Sequence, residues 1–192
     1  MKYLAGIYLR AGGRIVVIDG PDAGWCDKEH PPVSKNEGSV LQPRLVQRFD
    51  PNLRVQLFRP TVPGYADDKL MRFLQAVFDE GNTLVIFDEI FGILDPNHQP
   101  EIIMQIWSQG RKHDIAAWSA SQRPARVPEI IMSQADNWAI FQLLNKADKQ
   151  KIAEWTNSPE IVDTRLPKRV WFYFSADLDH VQLMQPVKAG IA

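Results

Sequence analysis

Residues 83–89 read Thr-Leu-Val-Ile-Phe-Asp-Glu, in which four consecutive apolar side chains lead directly into two carboxylates. An uninterrupted apolar run of this length is typical of a strand that is buried on both faces of a parallel sheet. Because α/β proteins bind their ligands at the carboxyl ends of such strands, we predict that Asp88 and Glu89 lie at a ligand-binding edge.

Strand-like and helix-like segments alternate on both sides of this stretch. Predicted strands lie at 14–19, 54–58, 83–89, 115–120 and 137–143, and predicted helices at 2–10, 67–80, 99–113, 128–134 and 146–156. Such alternation predicts right-handed crossovers and an α/β fold with a mostly parallel sheet. The proline-rich stretch 20–63 is predicted to be largely an irregular insertion, and residues 170–186 a closing hairpin or a pair of edge strands.

Length and composition favour one domain over residues 1–192. The formal net charge of -1 means that a nucleic-acid contact must come from a local basic patch or from assembly into a ring. One cysteine, Cys26, cannot form an internal disulfide, so a cytoplasmic location is expected. No apolar run in the sequence has the length of a membrane span.

The paired acids suggest phosphoryl-transfer chemistry. Two adjacent carboxylates at the end of a buried strand are costly unless a cation compensates them, and Mg²⁺ would do so. In such a site the first acid holds Mg²⁺, usually through water, and the second can accept a proton from the attacking water. A structural role, in which both acids cap the following turn or pair with arginines, remains open.

A second polar segment follows the next predicted strand. Residues 119–122 read Ser-Ala-Ser-Gln, which places an amide at the same predicted edge. Gln122 can reach a γ-phosphate or orient a water there. An ordinary surface glutamine at a strand end would give the same pattern.

Four segments, taken together, resemble the FtsK/HerA-type P-loop ATPases over roughly residues 1–155. They are LVIFDEI at 84–90, GRKHDI at 110–115, SASQRPARVP at 119–128 and SQADNWAIFQL at 133–143. The family is similar in its order of Walker B acids, Gly-Arg-Lys helix end and Thr-Gln-Arg-Pro-like sensor segment. Ser121 and Gln142 depart from the threonine and the arginine that are common in the family.

The resemblance implies a three-layer P-loop NTPase fold of the RecA/ASCE type that uses ATP and Mg²⁺. It implies that Asp88 binds Mg²⁺ through water, that Glu89 is the general base and that Gln122 is the γ-phosphate sensor. It further implies that Arg111 is presented to the nucleotide of a neighbouring subunit, although a charge that complements the end of a helix explains Arg111 equally well. Arg123 and Arg126 are candidates for a phosphate or DNA track, or for a solvated loop.

The sequence contains no GxxxxGK[ST] phosphate-binding loop. In the family that loop precedes a helix and a strand ending in an acid, which is how this chain begins, so the P-loop strand is expected to be missing from the N-terminus. Its loss would leave either a gap between the strands at 115–120 and 137–143 or an altered pairing. A truncated start, a degenerate subunit, or a P-loop supplied by another chain would each account for this.

The resemblance implies an ATP-driven motor that translocates DNA, in viral genome packaging or mobile-element transfer. Such a motor is expected to form a homo-oligomeric ring with portal, capsid or transfer-machinery partners. The alternative is a non-catalytic, ATPase-like interaction subunit that keeps the fold without hydrolysing ATP. A third option is a small α/β protein whose acid pair is only structural.

Overall fold

The computed structural model describes residues 2–20, 43–61, 64–90, 93–94 and 97–186. Its strands are β1 (Arg14–Asp19), β2 (Arg44–Leu45), β3 (Val55–Phe58), β4 (Thr83–Asp88), β5 (Ile115–Ser119), β6 (Asn137–Ile140), β7 (Trp171–Ser175) and β8 (Gln182–Met184). Its α-helices are α1 (Lys2–Arg10), α2 (Asp68–Glu80), α3 (Glu101–Gln109), α4 (Glu129–Gln134), α5 (Lys146–Thr156) and α6 (Glu160–Asp163). The chain divides into two compact units, Met1–Ser121 and Gln122–Ala192.

The first unit is built on a parallel sheet with strand order β2-β3-β1-β4-β5. Its central strands are buried on both faces because helices cover both sides. Ala5 and Leu9 of α1 pack in one cluster with β1, β3 and β4. On the other face, Phe73 of α2 contacts Phe58, and Trp107 of α3 contacts Phe87. The predicted α/β fold with a mostly parallel sheet is therefore confirmed.

The second unit contains a three-stranded antiparallel sheet of order β6-β7-β8. The prediction of terminal strands within 170–186 is confirmed as the pair β7 and β8. The prediction that 137–143 joins the parallel sheet is wrong, because β6 ends at Ile140 and pairs with β7. Its alternating exposure, with Trp138 and Ile140 buried, is the pattern of a half-covered antiparallel strand.

The predicted insertion at 20–63 is only partly irregular. Residues 21–42 lie outside the described part of the chain. The remainder adds β2, which the sequence did not predict, and β3 to one side of the sheet. At the other side, β5 pairs only with β4 among the described strands, and four of its five residues are half-buried.

Within the described residues, no helix is both long enough and apolar enough to cross a membrane.

The start of α2 depends on one capping residue. Asp67 is almost fully buried, and its carboxylate accepts hydrogen bonds from the backbone N–H groups of Thr61, Lys69 and Leu70. Replacing Asp67 by Ala should lower the free energy of unfolding by about 1–2 kcal/mol, because three N–H groups lose their acceptor. Urea unfolding measures this loss.

The neighbouring Asp68 provides a matched control for this prediction. Asp68 is exposed in the first turn of α2, so Asp68→Ala should cost only about 0.5 kcal/mol through the helix dipole. Equal losses in the two variants would contradict the capping role of Asp67.

Candidate nucleotide-binding edge

The acid pair lies at the carboxyl end of β4, as the sequence predicted. Asp88 is the last residue of the strand and is half-buried, whereas the five residues before it are buried. Glu89 follows with a φ of 56°, in the left-handed region that residues other than glycine rarely adopt. A non-glycine residue held in this conformation directly after a buried strand is a form of backbone strain that is concentrated at functional sites.

Glycine at position 20 allows the segment after β1 to approach the acid pair. A Cβ atom built on Gly20 would lie 3.1 Å from the carbonyl oxygen of Asp88 and 3.5 Å from the Cβ of Glu89. The lack of a side chain therefore keeps the backbone of the two segments in close contact. Any substitution at Gly20 would push against the residues that orient both carboxylates.

Hydrogen bonds beyond the strand ends connect β4 to β5. The N–H of Ala120 donates to the carbonyl of Phe87 at 3.0 Å, and the N–H of Ile90 donates to the carbonyl of Ala120 at 2.9 Å. Phe87 directly precedes the acid pair and Ile90 directly follows it, so the two hydrogen bonds fix the backbone on both sides of the pair. The backbone of Glu89 is thus held from both sides, by Gly20 and by the segment after β5.

A third carboxylate lies at this edge, at a position that was not among the site residues predicted from the sequence. Asp19 ends β1 and is in direct register with Asp88. It is fully buried, and its Oδ2 accepts hydrogen bonds from both Nε and Nη2 of Arg59. Its Oδ1 is also buried and accepts no hydrogen bond from any residue that the structure describes. The sequence signal was available, because Asp19 ends an apolar run in the same way as Asp88.

The arrangement suits a divalent cation that arrives with a phosphate ligand. No group of three or more His, Cys, Asp or Glu side chains in the described ranges could hold a metal ion by itself. Mg²⁺ characteristically binds through one or two carboxylates and keeps water and phosphate oxygens as its other ligands. The half-buried Asp88, with the buried and unsatisfied Oδ1 of Asp19 on the adjacent strand, fits that requirement.

Arg111 lies at the opposite edge of the sheet from the acid pair. It belongs to the short helical turn Gly110–His113, which precedes β5. The carbonyl of His113 accepts a hydrogen bond from Asn82, at the amino end of β4. Since β4 rises about 3.3 Å per residue, its length separates the turn that carries Arg111 from Asp88 by roughly 15 Å. It cannot serve the acid pair of its own chain.

The remaining candidate residues belong to the second unit. Gln122 is its first residue and is exposed. Arg123 donates from Nε to Oδ2 of the buried Asp148 at 3.0 Å, which gives it a structural partner. Gln142 donates to the carbonyl of Leu143 and accepts from the N–H of Leu166. Arg126 is exposed in the short turn Pro124–Arg126.

The first unit has an α/β fold built on a parallel sheet, with the acid pair at the carboxyl edge of that sheet. Solved structures with the same fold include B204, the genome packaging NTPase of Sulfolobus turreted icosahedral virus 2. The complex with AMP matches with a TM-score of 0.74 and 14% identity, over 97% of this chain and 89% of that chain. The complex with ATP-gammaS matches with a TM-score of 0.71 and 13% identity, over the same shares of 97% and 89%.

A third match is B204, the DNA-packaging ATPase from Sulfolobus turreted icosahedral virus, with a TM-score of 0.68, 13% identity and coverage of 97% of this chain and 89% of that chain. Identities this low establish the fold alone. They confirm, at that level, the resemblance to P-loop ATPases that the motifs indicated. No family model and no curated protein gives a significant match to the sequence.

The ion pair between Asp19 and Arg59 gives a test of the edge. Arg59→Met should lower the free energy of unfolding by about 2–3 kcal/mol, because it leaves a fully buried carboxylate without its cation. The double variant Asp19→Asn/Arg59→Met should recover most of that loss, since the buried charge is then absent. Urea unfolding of the two single variants and the double variant measures the coupling. A double variant that is no more stable than Arg59→Met would contradict the account.

Proposed function

We propose that this chain is a subunit of an ATP-driven motor that moves DNA, in viral genome packaging or in mobile-element transfer. The observation that carries the proposal is the strained Glu89 beside Asp88, at the carboxyl edge of a parallel sheet with the fold of viral packaging NTPases. Strain at a residue that directly follows a buried strand is costly, and a catalytic position explains why it is retained.

Each acid has a separate role in this proposal. Asp88 holds the Mg²⁺ that accompanies ATP, through water, and Mg²⁺ neutralises charge on the phosphates. Glu89 accepts the proton of the attacking water, and its fixed backbone aims the carboxylate. Gln122 senses the γ-phosphate, as the resemblance implies. The buried Asp19, adjacent to Asp88 and held by Arg59, orients the Mg²⁺ ligands from the neighbouring strand.

These 192 residues contain no GxxxxGK[ST] segment, so they supply the acid half of such a site. The same observation favours the alternative function, a subunit that keeps the fold for assembly and leaves hydrolysis to others. The two proposals differ in what Glu89 does. Only a hydrolytic role requires its carboxylate.

The position of Arg111 favours action between subunits. It is exposed and lies on the edge of the sheet opposite Asp88. A guanidinium on the far side of one subunit can reach the nucleotide of the next if the subunits associate head to tail, and such an interface gives a ring when the rotation between subunits closes. We therefore propose a homo-oligomeric ring in which Arg111 completes the neighbour's site.

Glu89→Gln tests the catalytic role in the assembled motor. This change should lower ATP turnover and DNA translocation by about a hundredfold to ten-thousandfold, because the amide cannot accept the proton of the attacking water. Glu154→Gln is the matched control, since Glu154 is exposed on α5. Translocation that proceeds at the normal rate with Glu89→Gln would establish the non-catalytic alternative.

Mixing two inactive variants tests the role of Arg111. Arg111→Ala alone should lower ATP turnover by about a thousandfold or more, which is the usual contribution of a trans-acting arginine. Equal mixtures of Arg111→Ala and Glu89→Gln subunits should regain turnover, because some interfaces then combine an intact Glu89 with a neighbour's intact Arg111. Mixtures as inactive as the separate variants would show that Arg111 does not act between subunits.

A further inference from the structure

A cationic groove lies on the first unit, and neither member of the acid pair lines it. One side is the segment that follows β2, and the other is one face of α2. The groove encloses about 550 Å³ and is lined by Gln47, Arg48, Phe49, Lys69, Arg72, Phe73 and Ala76. No carboxylate is among these residues, although the chain as a whole carries a net charge of -1.

The helical side of the groove follows from spacing along α2. Lys69, Arg72, Phe73 and Ala76 recur at the three- and four-residue intervals that place side chains on one helical face. Phe73 points inward and is 2% exposed, whereas Lys69 and Arg72 are exposed. The two cations therefore lie on the same face of α2, next to the apolar side chain of Phe73.

Aromatic contacts hold the opposite side in place. The ring of Phe49 meets that of Phe73 edge to face, with ring centroids 6.0 Å apart. The guanidinium of Arg14 lies 5.4 Å from the centroid of the Phe49 ring, and Arg14 is itself paired with Glu80 at 3.3 Å. Fixing Phe49 also fixes the backbone of Arg48, which is exposed next to it.

Of the acids near the groove in sequence, Asp50 and Asp67 have their own hydrogen-bond partners, whereas Asp68 is exposed beside Lys69 and is not among the lining residues. Asp50 accepts hydrogen bonds from the backbone and the side chain of Asn52, and Asp67 caps α2. A second groove, on the side of α2 that faces α3, shares Arg72 but also contains Glu101. Of the two grooves that share Arg72, only the first is lined by cations, Arg48, Lys69 and Arg72, without a carboxylate.

We propose that this cationic groove binds the phosphate backbone of duplex DNA without regard to sequence. The inference rests on the proposed function, since it assumes that DNA is the polymer the motor moves. Three flexible cations and the amide of Gln47 supply donors for phosphate oxygens, and Phe49 and Ala76 offer an apolar surface to deoxyribose. The groove offers no carboxylate to read the amino groups of bases, which fits binding that positions DNA and does not select a sequence.

Anisotropy of a short fluorescein-labelled duplex DNA tests this groove, at several salt concentrations and without nucleotide. The variant Lys69→Gln/Arg72→Gln should bind on the order of tenfold or more weakly, and the slope of log affinity against log salt should fall by about 0.9 for each phosphate that is no longer neutralised. Arg165→Gln/Lys168→Gln removes the same two charges from exposed positions of the second unit and should bind as the wild type does. Both variants should keep the wild-type urea midpoint, because all four side chains are exposed.

Equal affinities of the groove variant and the wild type for duplex DNA would overturn the proposal. So would binding of polyglutamate that is tighter than binding of duplex DNA at equal charge concentration, which would indicate an acidic protein partner instead. A wild type that binds no duplex DNA while its ATP turnover requires Glu89 would overturn the groove and leave the ATPase intact. DNA binding that depends on the groove, together with an ATP turnover that Glu89→Gln leaves unchanged, would support the groove and overturn the catalytic role of Glu89.

Discussion

The parallel pairing of β1 with β4 is the constraint on which the rest of this structure depends. Both strands are buried on both faces, so neither can carry polar chemistry along its length. Their register places Asp19 beside Asp88, and charge accumulates at the one edge where the strands end. Arg59 compensates the buried Asp19, while Asp88 and Glu89 lie where a cation could bind together with its phosphate ligand.

The two edges of the sheet have different chemical characters as a result. The carboxyl edge brings together three acids, one of which is the strained Glu89, whereas the amino edge presents the Arg111 turn. A single subunit holds these groups apart, and head-to-tail association would bring an arginine of one copy to the acids of the next. The groove between α2 and the segment after β2 adds a third surface with the opposite charge to that of the acid edge.

Much of this arrangement could be predicted from the sequence because a continuous apolar run is compatible with few secondary structures and requires burial. The length of the run at 83–88 and its β-branched and aromatic residues favour a buried strand, so Asp88 and Glu89 were placed correctly at its end. The segment 137–143 was wrongly assigned to the parallel sheet. Only alternate residues of Asn137–Ile140 are buried, and in so short a segment the count of apolar residues does not distinguish a half-covered strand from one buried on both faces. The pairing of Asp19 with Arg59 joins residues 40 positions apart, and the left-handed backbone of Glu89 depends on contacts from two other strand ends. No local pattern encodes either.

Paramagnetic line broadening by Mn²⁺ with ATP tests the central claim, that the carboxyl edge holds the metal and the phosphates, because it reports distance to the metal even when binding is weak. The account predicts that the amide signals of residues 19–20, 88–90 and 120–121 broaden first and that Asp88→Asn removes the effect. In the monomeric protein, where no neighbouring subunit brings a nucleotide to Arg111, the signals of residues 81–82 and 110–114, at the opposite edge, should stay sharp. Broadening that begins at those residues, or that is unchanged in Asp88→Asn, would contradict the account.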